Sequence, residues 1–243
     1  MTSSAKSYIC WIVALGSVAV FAALSEWQFT HTVRFPVYFA LAVVTSTFKM
    51  RFPAITVSCS SNSLFIILGA AELDATEAML VACAAAAAQT LLNTREKPSP
   101  VQLGFNMAVL GIATSACIWT SSTLTAWGAA SALALFCAGV VFYVLNTILI
   151  SGIVALTREI TMRRIWRAWL CWTTPAFVVS TAAAMALFAS DPTFRWRPAL
   201  LTIPLAVILQ MGYRRLVEAR IEVSAWTAGA TALTTVSRGS NFG

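Results

Sequence analysis

The chain alternates long uncharged stretches with short polar punctuation. Ser7 to Ser25 is uncharged behind a lone Lys6, and Phe35 to Phe48 is a shorter apolar run ending at Lys49 and Arg51. After Pro53 comes Ala54 to Ala71, whose first half is crowded with hydroxyls and an amide (Thr56, Ser58, Ser60, Ser61, Asn62, Ser63). Glu72, Asp74 and Glu77 mark an acidic turn before Ala78 to Thr94, whose alanine pentad (Ala84 to Ala88) lets a neighbouring helix backbone come close. A polar turn follows at residues 95–100, with breakers Pro98 and Pro100.

The run Val101 to Thr157 holds 57 residues without Asp, Glu, Lys, Arg or His. A single helix of that length would measure about 85 Å at about 1.5 Å per residue, against about 30 Å for a bilayer core. The run must therefore fold back within lipid. Gly128 and Gly139 divide it into Gln102 to Thr120, a middle segment at 124–138 and Val140 to Leu156. The middle segment is short for a span and is expected to be a re-entrant or interfacial helix that does not cross. Residues 158–167 (REITMRRIWR) form an amphipathic stretch with Arg163, Arg164 and Arg167 on one face and Met162, Ile165, Trp166 and Trp169 on the other. It is expected to lie in the headgroup plane, those three arginines facing anionic lipid. Ala168 to Ser190, kinked at Pro175, and Pro198 to Tyr213 complete the spans.

The fold class expected is therefore all-α: a polytopic helical membrane bundle of about eight transmembrane helices, one short non-crossing helix and one interfacial amphipathic helix. It would occupy residues 1–222, leaving 223–243 as a small-polar, disordered cytoplasmic tail. Composition agrees, with 59% hydrophobic and 10% charged residues, far below the usual quarter of charged residues in a soluble domain. Eight crossings place 13 of the 16 Lys and Arg on one side and only Arg34, Arg195 and Arg197 on the other. A ninth crossing at 124–138 would erase that asymmetry. The positive-inside rule then assigns both termini to the cytoplasm of a cell inner membrane. The net charge of +7 is accounted for by these loops, and no nucleic-acid partner is expected.

Groups for chemistry are scarce. The single histidine, His31, is expected as a solvated outer-loop residue beside Arg34, with no carboxylate or second His to make it a proton or metal site. The six cysteines show no CxxC and sit in apolar stretches, as small hydrophobes do. No catalytic triad, zincin motif or phosphate loop is present, so the chain reads as non-enzymatic and without cofactor or metal. Proton pumps and ion-coupled transporters usually carry a charge at membrane depth, which these spans lack. Uncharged polar residues remain: Asn62, Gln89, Asn106 and Asn146, which must face the bundle interior or a cavity. They serve either as interhelical hydrogen bonds or as a pocket for a neutral ligand, with Asn62, Asn106 and Asn146 as the candidate ligand-binding set.

Several stretches, FIILGAAELDATEAMLVACAAAAAQTLLNTREKPSPVQLGFNMAVL (65–110), YVLNTILISGIVALT (143–157), IWRAWLCWTTPAFVVS (165–180) and YRRLVEARIE (213–222), together resemble one family. It is the multi-pass N-terminal membrane region ahead of HD-GYP or GGDEF cyclic-dinucleotide signalling domains of bacteria. The resemblance covers roughly residues 50 to 222 and rests chiefly on Pro100-Val101-Gln102, Phe105-Asn106 and Leu145-Asn146-Thr147. It implies a sensor or scaffold module that reads a membrane-borne or small neutral signal and hands it to a cytoplasmic partner. In such proteins the last helix runs on into an output domain, whereas here small polar residues follow Glu222. The expectation is an input module without its own output. The rival reading is a substrate-binding membrane subunit of a vitamin-type transporter, by analogy with its small-polar stretch ahead of an apolar helix.

Overall fold

A computed structural model describes residues 2–27, 29–47, 49–52, 55–60, 62–92, 98–158 and 160–189. All belong to the compact unit Met1–Ile203. The described residues form seven helices and one β-hairpin: α1 (Ser3–Ser25), α2 (Arg34–Ser46), β1 (Lys49–Phe52), β2 (Ile55–Ser60), α3 (Ser63–Glu72), α4 (Ala75–Leu91), α5 (Pro100–Ala126), α6 (Ser131–Arg158) and α7 (Met162–Ala189).

Helix ends follow local chemistry. Thr2 caps α1 by accepting the Ala5 N–H at 3.4 Å, and Ser99 caps α5 by accepting the Gln102 N–H at 3.2 Å. Pro100 occupies the first turn of α5, where its missing N–H costs nothing. The C-terminus of α5 is a Schellman motif: Ala129 N–H bonds Leu124 C=O and Gly128 N–H bonds Thr125 C=O. Gly128 sits there at φ 81°, a left-handed position that suits glycine.

Two sequence expectations change in this region. No separate helix occupies 124–138, because its first residues end α5 and the rest open α6. Gly139 does not break the chain; it lies inside α6, where a Cβ would come within 3.3 Å of the Thr181 side chain. The glycine lets α6 and α7 approach closely. The uncharged run thus forms two helices of about 40 Å each, long enough to cross a bilayer. Likewise 158–167 is no independent interfacial helix. Arg158 closes α6, and Met162 opens the 28-residue α7, which continues through Pro175. Arg163 and Arg167 are exposed at its start and Ile165 is buried.

The expectation of about eight transmembrane helices is not supported. Among the described residues, three helices are long and apolar enough to cross a membrane: α1, α5 and α6. Helices α2 and α3, with 13 and 10 residues, reach only about 20 and 15 Å. One reason lies in residues 55–60. Ile55, Thr56 and Val57 are β-branched and the following Ser58, Cys59 and Ser60 form helix poorly, so the segment is strand β2 rather than a polar half-helix. It pairs antiparallel with β1, Lys49 opposite Ser60 and Met50 opposite Cys59, with an irregularity at Arg51/Phe52. The expected last span, 198–213, and the tail lie outside the described residues.

The main core gathers around α3 and α4. Phe65, Ile67 and Leu68 of α3 are fully buried, as are Val81, Ala82 and Ala85 of α4, with Tyr38, Leu135, Ala138 and Phe142 packed around them. Helix α4 packs against α1, α2, α3 and α5. Its alanines, the pentad Ala84 to Ala88 among them, provide a smooth surface for those neighbours. A smaller cluster joins Ile12 of α1 to Phe105, Ala108 and Val109 of α5. Away from both, α1 presents Trp11, Leu15, Val18 and Phe21 outward, the first and last about three-quarters exposed. Such an apolar stripe suits a lipid-facing surface.

Gly16 makes the α1–α5 crossing possible, since an added Cβ would collide with the backbone and Cβ of Ala108. Gly16→Val is expected to lower stability by about 1–3 kcal/mol. Gly104→Ala, whose added methyl meets nothing within 4 Å, is expected to be neutral or slightly stabilising. Thermal unfolding of the detergent-purified protein reads both, and an unperturbed Gly16→Val would mean α1 is not seated on α5.

Candidate functional site

The most concentrated polar chemistry among the described residues lies where the α1–α2 loop meets the α3–α4 turn. After α1 the chain reverses through Trp27, which takes a left-handed φ of 34°. Phe29 packs edge-on between Trp27 and Phe35, and Phe35 in turn meets Phe39, with ring centroids 5.2–5.7 Å apart. This aromatic ladder fixes the loop that carries Thr30 and His31. Across from it, Leu73 and Asp74 join α3 to α4, and Asp74 is the extended N-cap of α4. Glu77, three residues on, reaches back to the Asp74 N–H at 3.3 Å, one arm of a capping box.

His31 closes the site. Its Nδ1 lies 2.8 Å from Glu77 Oε2 and 3.8 Å from Asp74 Oδ2, and its backbone N–H donates to Glu77 Oε1 at 3.0 Å. Thr30 Oγ1 donates to Asp74 Oδ2 and lies 3.1 Å from His31 Nδ1. One imidazole nitrogen and two carboxylate oxygens thus fall within 4.8 Å of one another, and all three are potential metal ligands. Glu77 is 1% exposed, while the His31 and Asp74 side chains are about one-quarter exposed, so the cluster is reached from the surface through His31 and Asp74. The loop is anchored further. Thr76 Oγ1 donates to Ala23 C=O of α1 at 2.7 Å, and Tyr38 Oη donates to the buried Glu72 carboxylate at 2.8 Å.

This overturns the expectation that His31 is a solvated loop residue with no carboxylate beside it. Its partners stand 43 and 46 positions away, beyond the reach of local spacing. The visible clue was the Asp74-x-x-Glu77 capping pattern, together with the single histidine in a loop assigned to the same side as the acidic turn.

The candidate asparagines occupy separate positions. Asn106 Nδ2 donates to Thr90 Oγ1 at 2.9 Å and so clasps α5 to α4. Asn62 is buried at the start of α3, where its carbonyl accepts from Phe65 and Ile66. Asn146 lies on α6, and its Oδ1 is buried without a partner among the described residues. Gln89 lies on α4. Of the three arginines expected at lipid headgroups, Arg163 and Arg167 are exposed, and the side chain of Arg164 lies outside the described residues.

For Asn106 the interhelical role has a measurable size. Asn106→Ala is expected to cost about 0.6–2 kcal/mol, and Thr90→Val to reproduce most of that loss. Thermal unfolding in detergent checks both; unchanged stability in the two variants would mean the clasp carries no weight.

No curated protein and no solved structure matches the chain. The family model MASE9, a membrane-associated sensory domain, matches residues 16–218, which includes the loop and turn that form the His31 cluster. The chain belongs to the MASE9 family of membrane-associated sensory domains.

Proposed function

We propose that this chain is a non-enzymatic input module of a bacterial inner membrane that passes a signal to a cyclic-dinucleotide signalling partner in the cytoplasm. The observation that carries the reading is the family match across residues 16–218 of a chain with three helices long and apolar enough to cross a membrane. Lys and Arg concentrate at Lys49 and Arg51, at Arg95 and Lys97 and between Arg158 and Arg167, which favours a cytoplasmic location for those turns. The exposed Arg163 and Arg167 then stand at the inner face, suited to anionic headgroups, and the His31–Asp74–Glu77 cluster stands at the outer mouth. Trp27 and Trp127, about 70 and 80% exposed, follow the C-terminal ends of α1 and α5, positions that suit interfacial aromatics.

The cluster is the part best placed to receive the signal. It joins the α1–α2 loop to the first turn of α4, and α4 packs against α1, α2, α3 and α5. A change in how His31 engages Glu77 therefore acts on the helix with contacts to four others. The vitamin-transporter reading loses its main support, because the polar stretch at 56–60 is a strand and Asn106 is engaged with Thr90.

The test joins a GGDEF-type cyclase domain after Gly243 and measures cyclic dinucleotide in cells. The expected result is an output that differs from that of the free cyclase domain and shifts by about five-fold or more in the His31→Ala fusion, the low end of typical coupling. Identical output from the fusion, its His31→Ala variant and the free domain would refute the reading.

A further inference from the structure

We propose that His31, Asp74 and Glu77 bind one divalent transition-metal ion of the zinc or manganese type, which is the signal or a required part of the outer mouth. The inference rests on the sensory reading above for its purpose, but its geometry stands alone. The three ligand atoms come from two segments that are distant in sequence and meet only in the fold.

Their spacing suits an ion. Ligand atoms around a metal at about 2.0–2.2 Å are separated by roughly 3–3.5 Å, and here Nδ1 lies 2.8 Å from Glu77 Oε2 and 3.8 Å from Asp74 Oδ2. Shifts of a few tenths of an ångström bring both into range, and the third separation, between the Asp74 and Glu77 oxygens, is at most 4.8 Å and closes by side-chain rotation. The outer hydrogen bonds are those that orient metal ligands. The His31 N–H holds Glu77 Oε1 and leaves Oε2 turned to the imidazole, while the Thr30 hydroxyl holds Asp74. On binding, the ion replaces the contacts of Nδ1 with Glu77 Oε2 and Thr30 Oγ1, and the proton shared there is released to solvent.

Charge points the same way. Hydrogen bonds from His31 and from the Asp74 N–H compensate the buried Glu77, yet one imidazole brings at most a single positive charge to a set with two carboxylates. A divalent ion neutralises the set. The partial exposure of His31 and Asp74 leaves it an entry path and room for water as a fourth ligand. An imidazole nitrogen in the set favours zinc-type or manganese-type ions over magnesium and calcium, which prefer oxygen ligands alone.

The experiment uses the full chain, purified in detergent with any affinity tag removed and treated with chelator, titrated calorimetrically with Zn²⁺, Mn²⁺ and Mg²⁺. The expected result is saturable binding of one Zn²⁺ or Mn²⁺ per chain, with Mg²⁺ weaker. Affinity should fall at least about ten-fold in His31→Ala and in Asp74→Asn, and stay unchanged in Gly104→Ala. Asp74→Asn matters because asparagine is an equally good N-cap, so that variant keeps the fold while losing the charge. A cluster that is only a clasp would give destabilised His31→Ala without saturable Zn²⁺ or Mn²⁺ binding in the parent, and that result overturns the proposal. So does binding of equal strength in His31→Ala and Asp74→Asn. Metal binding with no effect on the cyclase fusion would leave the site standing and refute the sensory reading; a responsive fusion without metal binding would do the reverse.

Discussion

A carboxylate withdrawn from water must find compensation, and Glu77 is the clearest case in this chain. It lies 1% exposed at the start of α4, where an uncompensated charge would cost several kcal/mol. The His31 imidazole and backbone N–H, together with the Asp74 N–H, supply what it needs. Meeting that need draws the α1–α2 loop onto the α3–α4 turn. With Thr76 bonded to α1 and Tyr38 to Glu72, the ends of the first four helices are bound into one polar knot.

Below that knot the chain obeys a different rule. Away from water, stability comes from close packing and from hydrogen bonds between helices rather than from charge. Small residues do much of this work: Gly16 admits Ala108, Gly139 admits Thr181, and the alanines of α4 admit α1, α2, α3 and α5. Polar side chains are used singly, as in the Asn106–Thr90 bond and the contacts of Tyr143 Oη with Thr173 and Thr174. Among the described residues the cluster of potential metal ligands stands at the helix ends, apart from the apolar length of α1, α5 and α6.

Much of this was legible in the sequence. The apolar runs locate α1, α2 and α4 within a few residues, and the acidic turn at 72–77 is where α3 gives way to α4. The failures have physical causes. Glycine marks both breaks and close approaches, so Gly128 and Gly139 look alike in sequence although only Gly128 ends a helix. The hydroxyl-rich run after Pro53 sits ahead of an apolar helix and suggests its polar first half, yet its β-branched members favour the strand that forms. At 158–167 nothing local distinguishes a free surface helix from the first turns of a longer one. The His31 site was hidden for a simpler reason: its ligating atoms meet only through packing.

The central claim is that His31 and Glu77 act as one unit that clasps the loop to α4. A double-mutant cycle on the unfolding free energy, using His31→Ala, Glu77→Ala and the double variant under metal-free conditions, tests it most directly. The cycle separates the pair from the loss of the α4 cap, which affects Glu77→Ala alone. The account predicts a coupling energy of about 1–3 kcal/mol, so that the double variant is less destabilised than the two single losses added together. Losses that add to within about 0.3 kcal/mol would contradict it.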